Sequence, residues 1–186
     1  GMTEQSASGA GGVLVVGGGI SGLTAALEAA EVGKDVFLIE KNPYLGGRVA
    51  QLNQYFPKLC PPTCGLEINF RRIKDNPRIK VLTMAEVEKV EGAPGNYAVA
   101  IKVKPRYVNE NCTCCGACAE ACQTEIPSEF DFGMKQIKGA YLPFAMAFPA
   151  RYVIDSRIVG TEDGNRAKAA CKYDAVDLGM QPKTLN

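Results

Sequence analysis

"GVLVVGGGISGLTAALEAAEVGKDVFLIEK", Gly12 to Lys41, decides the fold. Val13 to Val16 is a short apolar run suited to a buried parallel strand. A glycine-rich turn follows, then a helical pattern from about Ile20 to Val32 with Leu23, Ala26, Leu27 and Ala30 on one face. Gly33 stops that helix, and Val36 to Ile39 reads as a second buried strand ending at Glu40. Strand, helix and strand in this order make a unit with parallel strands, the core of a doubly wound α/β fold.

The turn carries G-x-G-x-x-G at Gly17, Gly19 and Gly22, with Glu40 eighteen residues beyond Gly22. Gly17 makes the tight turn, Gly19 lets backbone approach a pyrophosphate, and Gly22 lets helix and strand pack closely. The N–H groups that open the helix, from Ile20 and Ser21 onward, offer positive potential to phosphates. Glu40 suits a ribose diol and repels a 2′-phosphate, which disfavours NADP. The bland alternative is a glycine turn that only packs a helix on a sheet; the complete context argues against it. Shortly after Glu40 comes "EKNPYLGGR", with Lys41, Gly46, Gly47 and Arg48. This string resembles that of FAD-binding two-dinucleotide flavoproteins, which favours FAD over NAD and gives Arg48 either a phosphate role or a solvated surface place. The expected cofactor-binding set is Gly17, Gly18, Gly19, Ile20, Ser21, Gly22, Glu40, Lys41, Gly46, Gly47, Arg48 and, from a later strand, Val87.

Farther on, an amphipathic helix near Leu66 to Lys74 follows a Cys/Pro loop. Strands are expected at Ile79 to Leu82, Glu86 to Glu91 and Tyr97 to Val103, the last two joined by the turn "GAPGN". From Asn109 cysteine, proline and glycine become dense. The expected division is a loose tail over 1–12, an FAD-binding βαβ domain with a β-meander over 13–108, a ferredoxin-like cysteine-rich insertion over 109–180, and a tail over 181–186.

The chain has eight cysteines, no histidine and nothing resembling a secretory signal, which argues for metal or redox work over a disulfide framework. Without histidine, Cys/His zinc sites and histidine acid–base chemistry are excluded. A net charge of +1 gives no basic surplus for nucleic acid, and the apolar run near Val13 to Leu27 is too short and interrupted to span a bilayer. A cytoplasmic home is the default.

In "NENCTCCGACAEACQ", Asn109 to Gln123, four cysteines read C-x2-C-x2-C-x3-C: Cys112, Cys115, Cys118 and Cys122. That is the first half of a two-cluster ferredoxin, in which the fourth cysteine serves the other cluster. The triple spacing favours [4Fe–4S] over zinc, whose ribbons pair two C-x2-C knuckles. Gly116 permits the backbone to wrap, and Cys114 points away. The second half is sought near "NRAKAACKYDAVDLG"; counting back from Cys171 at ferredoxin intervals lands on Ala167, Gly164 and Thr161, none of which ligates iron. A one-cluster insertion follows, with ligands Cys112, Cys115, Cys118 and Cys171 and with Cys122 left over. The simpler alternative makes Cys122 the fourth ligand and Cys171 a buried thiol. Cys60 and Cys64, in "LCPPTCG", are a redox pair, ligands completed by a partner, or plain loop thiols.

Gly17 to Arg48, "AQLNQYFPKLCPPTCGLEINFRRI" and "CTCCGACAEACQTEIPSEFDFG…YLPFAMAFPARYVID" together resemble the A-subunit family of heterodisulfide reductases, and within it the flavoprotein A-subunit of quinone-interacting membrane-bound oxidoreductase complexes. The resemblance implies FAD, iron–sulfur clusters and redox partner subunits in a multi-protein complex, with the membrane reached only through those partners. It also implies a further strand and an A-T-G-type turn beyond Asn186, leaving a sheet edge here that another copy could pair with. "YLPFAMAFPARYV", Tyr141 to Val153, is expected to be a docking surface or the linker that packs the insertion onto the flavin domain. The function implied is electron transfer through FAD and one [4Fe–4S] cluster, with no catalytic acid or base. The alternative is a flavin-dependent thiol/disulfide oxidoreductase using Cys60 and Cys64.

Overall fold

The computed structural model describes residues 12–186, so the expected tail over 1–12 lies outside the described residues except for Gly12. The chain divides into two compact units, one of residues up to Lys104 together with Pro182–Asn186, the other Pro105–Gln181. The boundaries thus fall at 104/105 and 181/182, a few residues from the expected ones. The final stretch is not a free tail: Lys183–Leu185 forms a strand of the first unit.

In the first unit β1 (Val13–Val16), β2 (Val36–Glu40) and β3 (Ile79–Thr83) form a parallel sheet in the order β1-β2-β3. Helix α1 (Ile20–Glu31) connects β1 to β2 and buries the four residues its spacing selects, Leu23, Ala26, Leu27 and Ala30. Burying Leu23 and Leu27 stabilises this packing by about 1.5–3 kcal/mol each. Gly33 takes a φ of 85° just past the helix, the left-handed stop expected of it. Helix α2 (Thr63–Asp75) starts three residues before the periodicity predicts and places Leu66, Phe70 and Ile73 inward. Its first turn tolerates Pro61 and Pro62 just ahead because those positions need no intrahelical donor.

The expected meander is split between two sheets. β3 joins the parallel sheet, whereas β4 (Ala85–Ala93) and β5 (Asn96–Val103) form an antiparallel hairpin, extended by β10 (Lys183–Leu185) in the order β10-β5-β4. Pro94 and Gly95 make the hairpin turn, Gly95 supplying a φ of 88° that a side chain would resist.

The second unit is built from short pieces: α3 (Ala117–Ala121), the hairpin β6 (Glu125–Pro127) with β7 (Gln136–Lys138), the pair β8 (Ala140–Tyr141) with β9 (Val153–Ile154), and α4 (Glu162–Ala169). Its core gathers Val108, Cys118, Cys122, Ala140, Ile154, Ile158, Ala167, Ala175 and Val176. The 141–153 stretch belongs within this unit: Val153 and Ile154 are buried, and Phe144 stacks on Phe130 at 5.1 Å. Among the described residues no helix is long and apolar enough to cross a membrane.

Candidate functional site

The glycine loop of the first unit is a cradle made of backbone. Gly17 has a φ of 103°, and its N–H donates to Ile39 O at 2.8 Å, fixing the end of β1 against β2. A Cβ on Gly22 would lie 1.8 Å from Gly17 O, so helix and turn approach as only glycine allows. A Cβ on Gly19 would meet nothing within 4 Å, which leaves the backbone open where a phosphate would approach. Gly19 also precedes the first turn of α1, where no side chain caps the N–H groups and no acidic residue stands. An anion is the natural complement to such a terminus.

Gly46 and Gly47 close the cradle. The Gly46 N–H donates to Gly18 O at 2.7 Å, Gly46 bridges to Gly19, and both glycines have positive φ, 110° and 56°. A Cβ on Gly47 would stand 3.0 Å from Gly19 Cα. Glu40 is buried, and its carboxylate accepts from Gly18 N–H at 2.7 Å and Asn42 N–H at 2.8 Å. Two oxygens with about four lone-pair sites still have acceptor capacity after these bonds. Glu40 therefore ties β2 to the glycine loop, a scaffold role its position in sequence did not reveal. Ile20, Ser21, Lys41 and Arg48 are exposed. Val87 lies in β4 at an irregularity of the ladder between Val87 and Lys89, packed against Ile39, Ala85 and Ile101.

In the second unit Cys112, Cys115, Cys118 and Cys171 line one pocket, partly open to solvent, with Val108, Tyr152, Tyr173, Ala175 and Val176 around them. The loop wraps by two left-handed residues, Cys114 at φ 58° and Gly116 at φ 85°. Cys171 arrives by chain pairing. Val176 bridges to Val108, Asn109 N–H donates to Ala175 O at 2.8 Å, Asp177 N–H donates to Tyr107 O at 3.0 Å, and the Asn109 side chain donates to Asp174 O. A backbone amide donates to sulfur, Ala175 N–H to Cys171 Sγ at 3.3 Å; the nearby Ala119 N–H, which donates to Gly116 O at 2.9 Å, favours the ionised Cys118 thiol. Burial, joined by Cys112, Cys171 and Cys115, nevertheless pushes Cys118 up to about 11. Burial also raises Cys114, with Cys112 adding to the effect. Protonated thiols of this kind must lose their protons to bind a metal. Behind the loop, Arg106 is buried and donates to Arg151 O at 3.1 Å; burial and Arg151 lower its guanidinium to about 10, still charged at neutral pH. Among the described residues no three Cys, Asp or Glu side chains are drawn together as round a single metal ion.

Cys122 lies elsewhere. It is 2% exposed, its thiol donates to Thr124 O at 3.6 Å, and Asp163 Oδ2 stands 3.9 Å away. The positions where a second set of ligands would fall have other duties. Thr161 caps α4, its hydroxyl accepting from Gly164 N–H at 3.4 Å. Gly164 packs so tightly on Ile158 that a Cβ would lie 2.4 Å from Ile158 O, and Ala167 is fully buried. Asp163 accepts from Thr124 N–H at 2.5 Å, from the Thr124 hydroxyl, from Gln123 N–H and from Arg166. The Thr124 hydroxyl above all, then Arg166, hold its carboxyl far below the usual carboxylate range. Asp163, Tyr152 and Arg106 were not singled out by the sequence, since no spacing or motif marks them.

Cys60 and Cys64 are free thiols, Cys64 exposed at the start of α2. The Cys60 sulfur, when ionised, raises the Tyr55 phenol; burial and a hydrogen bond between the two side chains add to this.

Residues 12–63 match the family described as FAD dependent oxidoreductase. The chain is 43% identical over 173 residues to the second iron–sulfur A-subunit of CoB–CoM heterodisulfide reductase of Methanopyrus kandleri, covering 92% of this chain and 26% of that protein. It is 47% identical over 146 residues to the iron–sulfur A-subunit of CoB–CoM heterodisulfide reductase of Methanocaldococcus jannaschii, covering 76% of this chain and 22% of that one. The A-subunit of the ferredoxin:CoB–CoM heterodisulfide reductase of Methanosarcina acetivorans is 35% identical over 92% of this chain, again 22% of its own length. Heterodisulfide reductase A-subunits are thus homologues of this chain over most of its residues, and the chain spans about a quarter of their length.

Proposed function

We propose that this chain is the FAD- and [4Fe–4S]-bearing part of an electron-transfer subunit of a heterodisulfide-reductase-like complex, of the quinone-interacting kind. FAD would lie on Gly17–Gly22, Glu40 and Gly46–Gly47, with Arg48 and Val87 at its margins. The cluster would be held by Cys112, Cys115, Cys118 and Cys171, with Cys122 excluded. FAD supplies two-electron chemistry and the cluster one-electron chemistry, so together they let a complex split electron pairs.

The single observation that carries the reading is that three cysteines of a ferredoxin loop and a distant fourth, Cys171, line one pocket. The donor set fits the group. Thiolates are what iron–sulfur clusters take, the pocket walls beside them are largely apolar, and the Ala175 N–H aimed at Cys171 sulfur stabilises negative charge there. Four thiolates round one zinc would stand about 3.8 Å apart, given Zn–S near 2.3 Å. FAD is supported by the FAD dependent oxidoreductase match over residues 12–63 and by the open backbone at Gly19. Partners would be other redox subunits, as the relatives' description as subunits supports. Attachment to a membrane would run through those partners, and pairing of β1 edges between copies would be a property of the isolated chain. The dithiol alternative at Cys60 and Cys64 has no support from the relatives.

The test is the visible and EPR spectrum of anoxically prepared, reduced protein, with iron, sulfide and flavin measured together. Flavin bands over a broad cluster absorption, with about four irons per chain, are expected. Zinc in place of iron, or a chain that takes up no flavin, would contradict the reading.

A further inference from the structure

Tyr152 lines the thiol pocket with all four cysteines of the proposed ligand set. Its ring packs on the core that contains Cys118 and Ile154. Its hydroxyl stands 3.4 Å from where a Cβ on Gly116 would be, so the phenol tip rests on the turn of the cysteine loop at the one residue without a side chain. A half-buried phenol beside thiols, on a pocket with apolar walls, has few partners to donate to except sulfur.

We propose that Tyr152 donates its hydroxyl hydrogen bond to a cysteine thiolate of the bound cluster and thereby holds the cluster's reduction potential up. The inference rests on the iron–sulfur reading above. An added electron increases the negative charge on the sulfurs, and a hydrogen bond strengthens as its acceptor becomes more negative, so the donor stabilises the reduced form more than the oxidised one. A phenol of ordinary acidity ionises only near pH 10, so at neutral pH the hydroxyl keeps the proton that it would donate. Tyr173, the other phenol on the pocket, is 49% exposed and offers no such fixed donor. Tyr152 is thus a positioning residue for charge on the loop.

Tyr152→Phe removes only the hydroxyl. In the anoxic holoprotein, iron and sulfide per chain and the unfolding temperature are expected to match the wild type. The reduced-to-oxidised ratio at a fixed poise is expected to fall about three- to tenfold, tenfold being 59 mV for a one-electron couple. The iron–sulfur stretching bands in resonance Raman should rise in frequency, and part of the wild type's D2O shift in those bands should vanish. An intact cluster with unchanged potential would overturn the proposal, and so would a folded variant that cannot keep its cluster, because Tyr152 would then serve retention alone. Wild-type protein that binds no cluster under the same preparation would overturn the underlying reading instead.

Discussion

Cys171 and Cys122 pack on the same small core, and the contrast between their two surroundings explains the second unit. At one end four thiols line an open pocket with apolar walls, and the Ala175 amide N–H donates to the sulfur of Cys171. At the other, Cys122 is sealed in, and a carboxylate, Asp163, takes the amide and hydroxyl donors of Gln123 and Thr124 together with the Arg166 guanidinium. One end keeps an open pocket lined by thiols; the other supplies its own charge. A buried carboxylate with this many donors stays ionised and locks the chain around it.

The sharpest way to break this contrast is to restore the missing ligands with Thr161→Cys, Gly164→Cys and Ala167→Cys together. No second cluster is expected, because the space is filled. The triple variant should lose several kcal/mol, at about 1–3 kcal/mol for each overpacked position, read by denaturant unfolding. Additional iron beyond about four per chain would show that the closed end can reopen. Next in size, Gly22→Ala in the first unit forces a Cβ onto Gly17 O. It should cost about 1–3 kcal/mol and weaken FAD binding at least tenfold, measured by flavin fluorescence titration.

The two ends also answer pH in opposite directions. Asp163 has a lowered carboxyl pKa in the fold, so its contribution is full above the ordinary value of 3.8 and is lost as pH falls through the folded value. Asp163→Asn should flatten the acid limb of the stability curve. Cys118 is raised to about 11, so in the unloaded protein the folded thiol keeps its proton where the unfolded one has lost it. Stability should therefore fall as pH climbs from 9 towards 11, and Cys118→Ala should remove that slope. Smallest of the set, Thr161→Ala removes the cap of α4 and should cost about 0.5–2 kcal/mol in thermal unfolding, with iron content untouched.

Much of the first unit was legible because its signals are local. The positions Leu23, Ala26, Leu27 and Ala30 and the glycine spacing each follow from one helix or one turn. The start of α2 was missed by three residues because its first turn is polar and follows two prolines, so no apolar period marks it. β10 was missed because a strand of Lys183–Leu185 exists only through its pairing with β5, far away in sequence. In the second unit the likeness of "CKYDAVD" to the close of a ferredoxin repeat pointed to Cys171, but Asp163, Tyr152 and Arg106 act through tertiary packing that leaves no period in the sequence. Glu40 was read for its ribose face, whereas its bonds to Gly18 and Asn42 appear only once the loop is folded.

Iron and acid-labile sulfide per chain in anoxically prepared Cys171→Ser and Cys122→Ser, side by side, test the central assignment most directly. Cys122→Ser is expected to keep about four irons and the wild-type EPR signal, while Cys171→Ser loses the cluster or retains a three-iron remnant. A full cluster in Cys171→Ser together with its loss in Cys122→Ser would contradict the account.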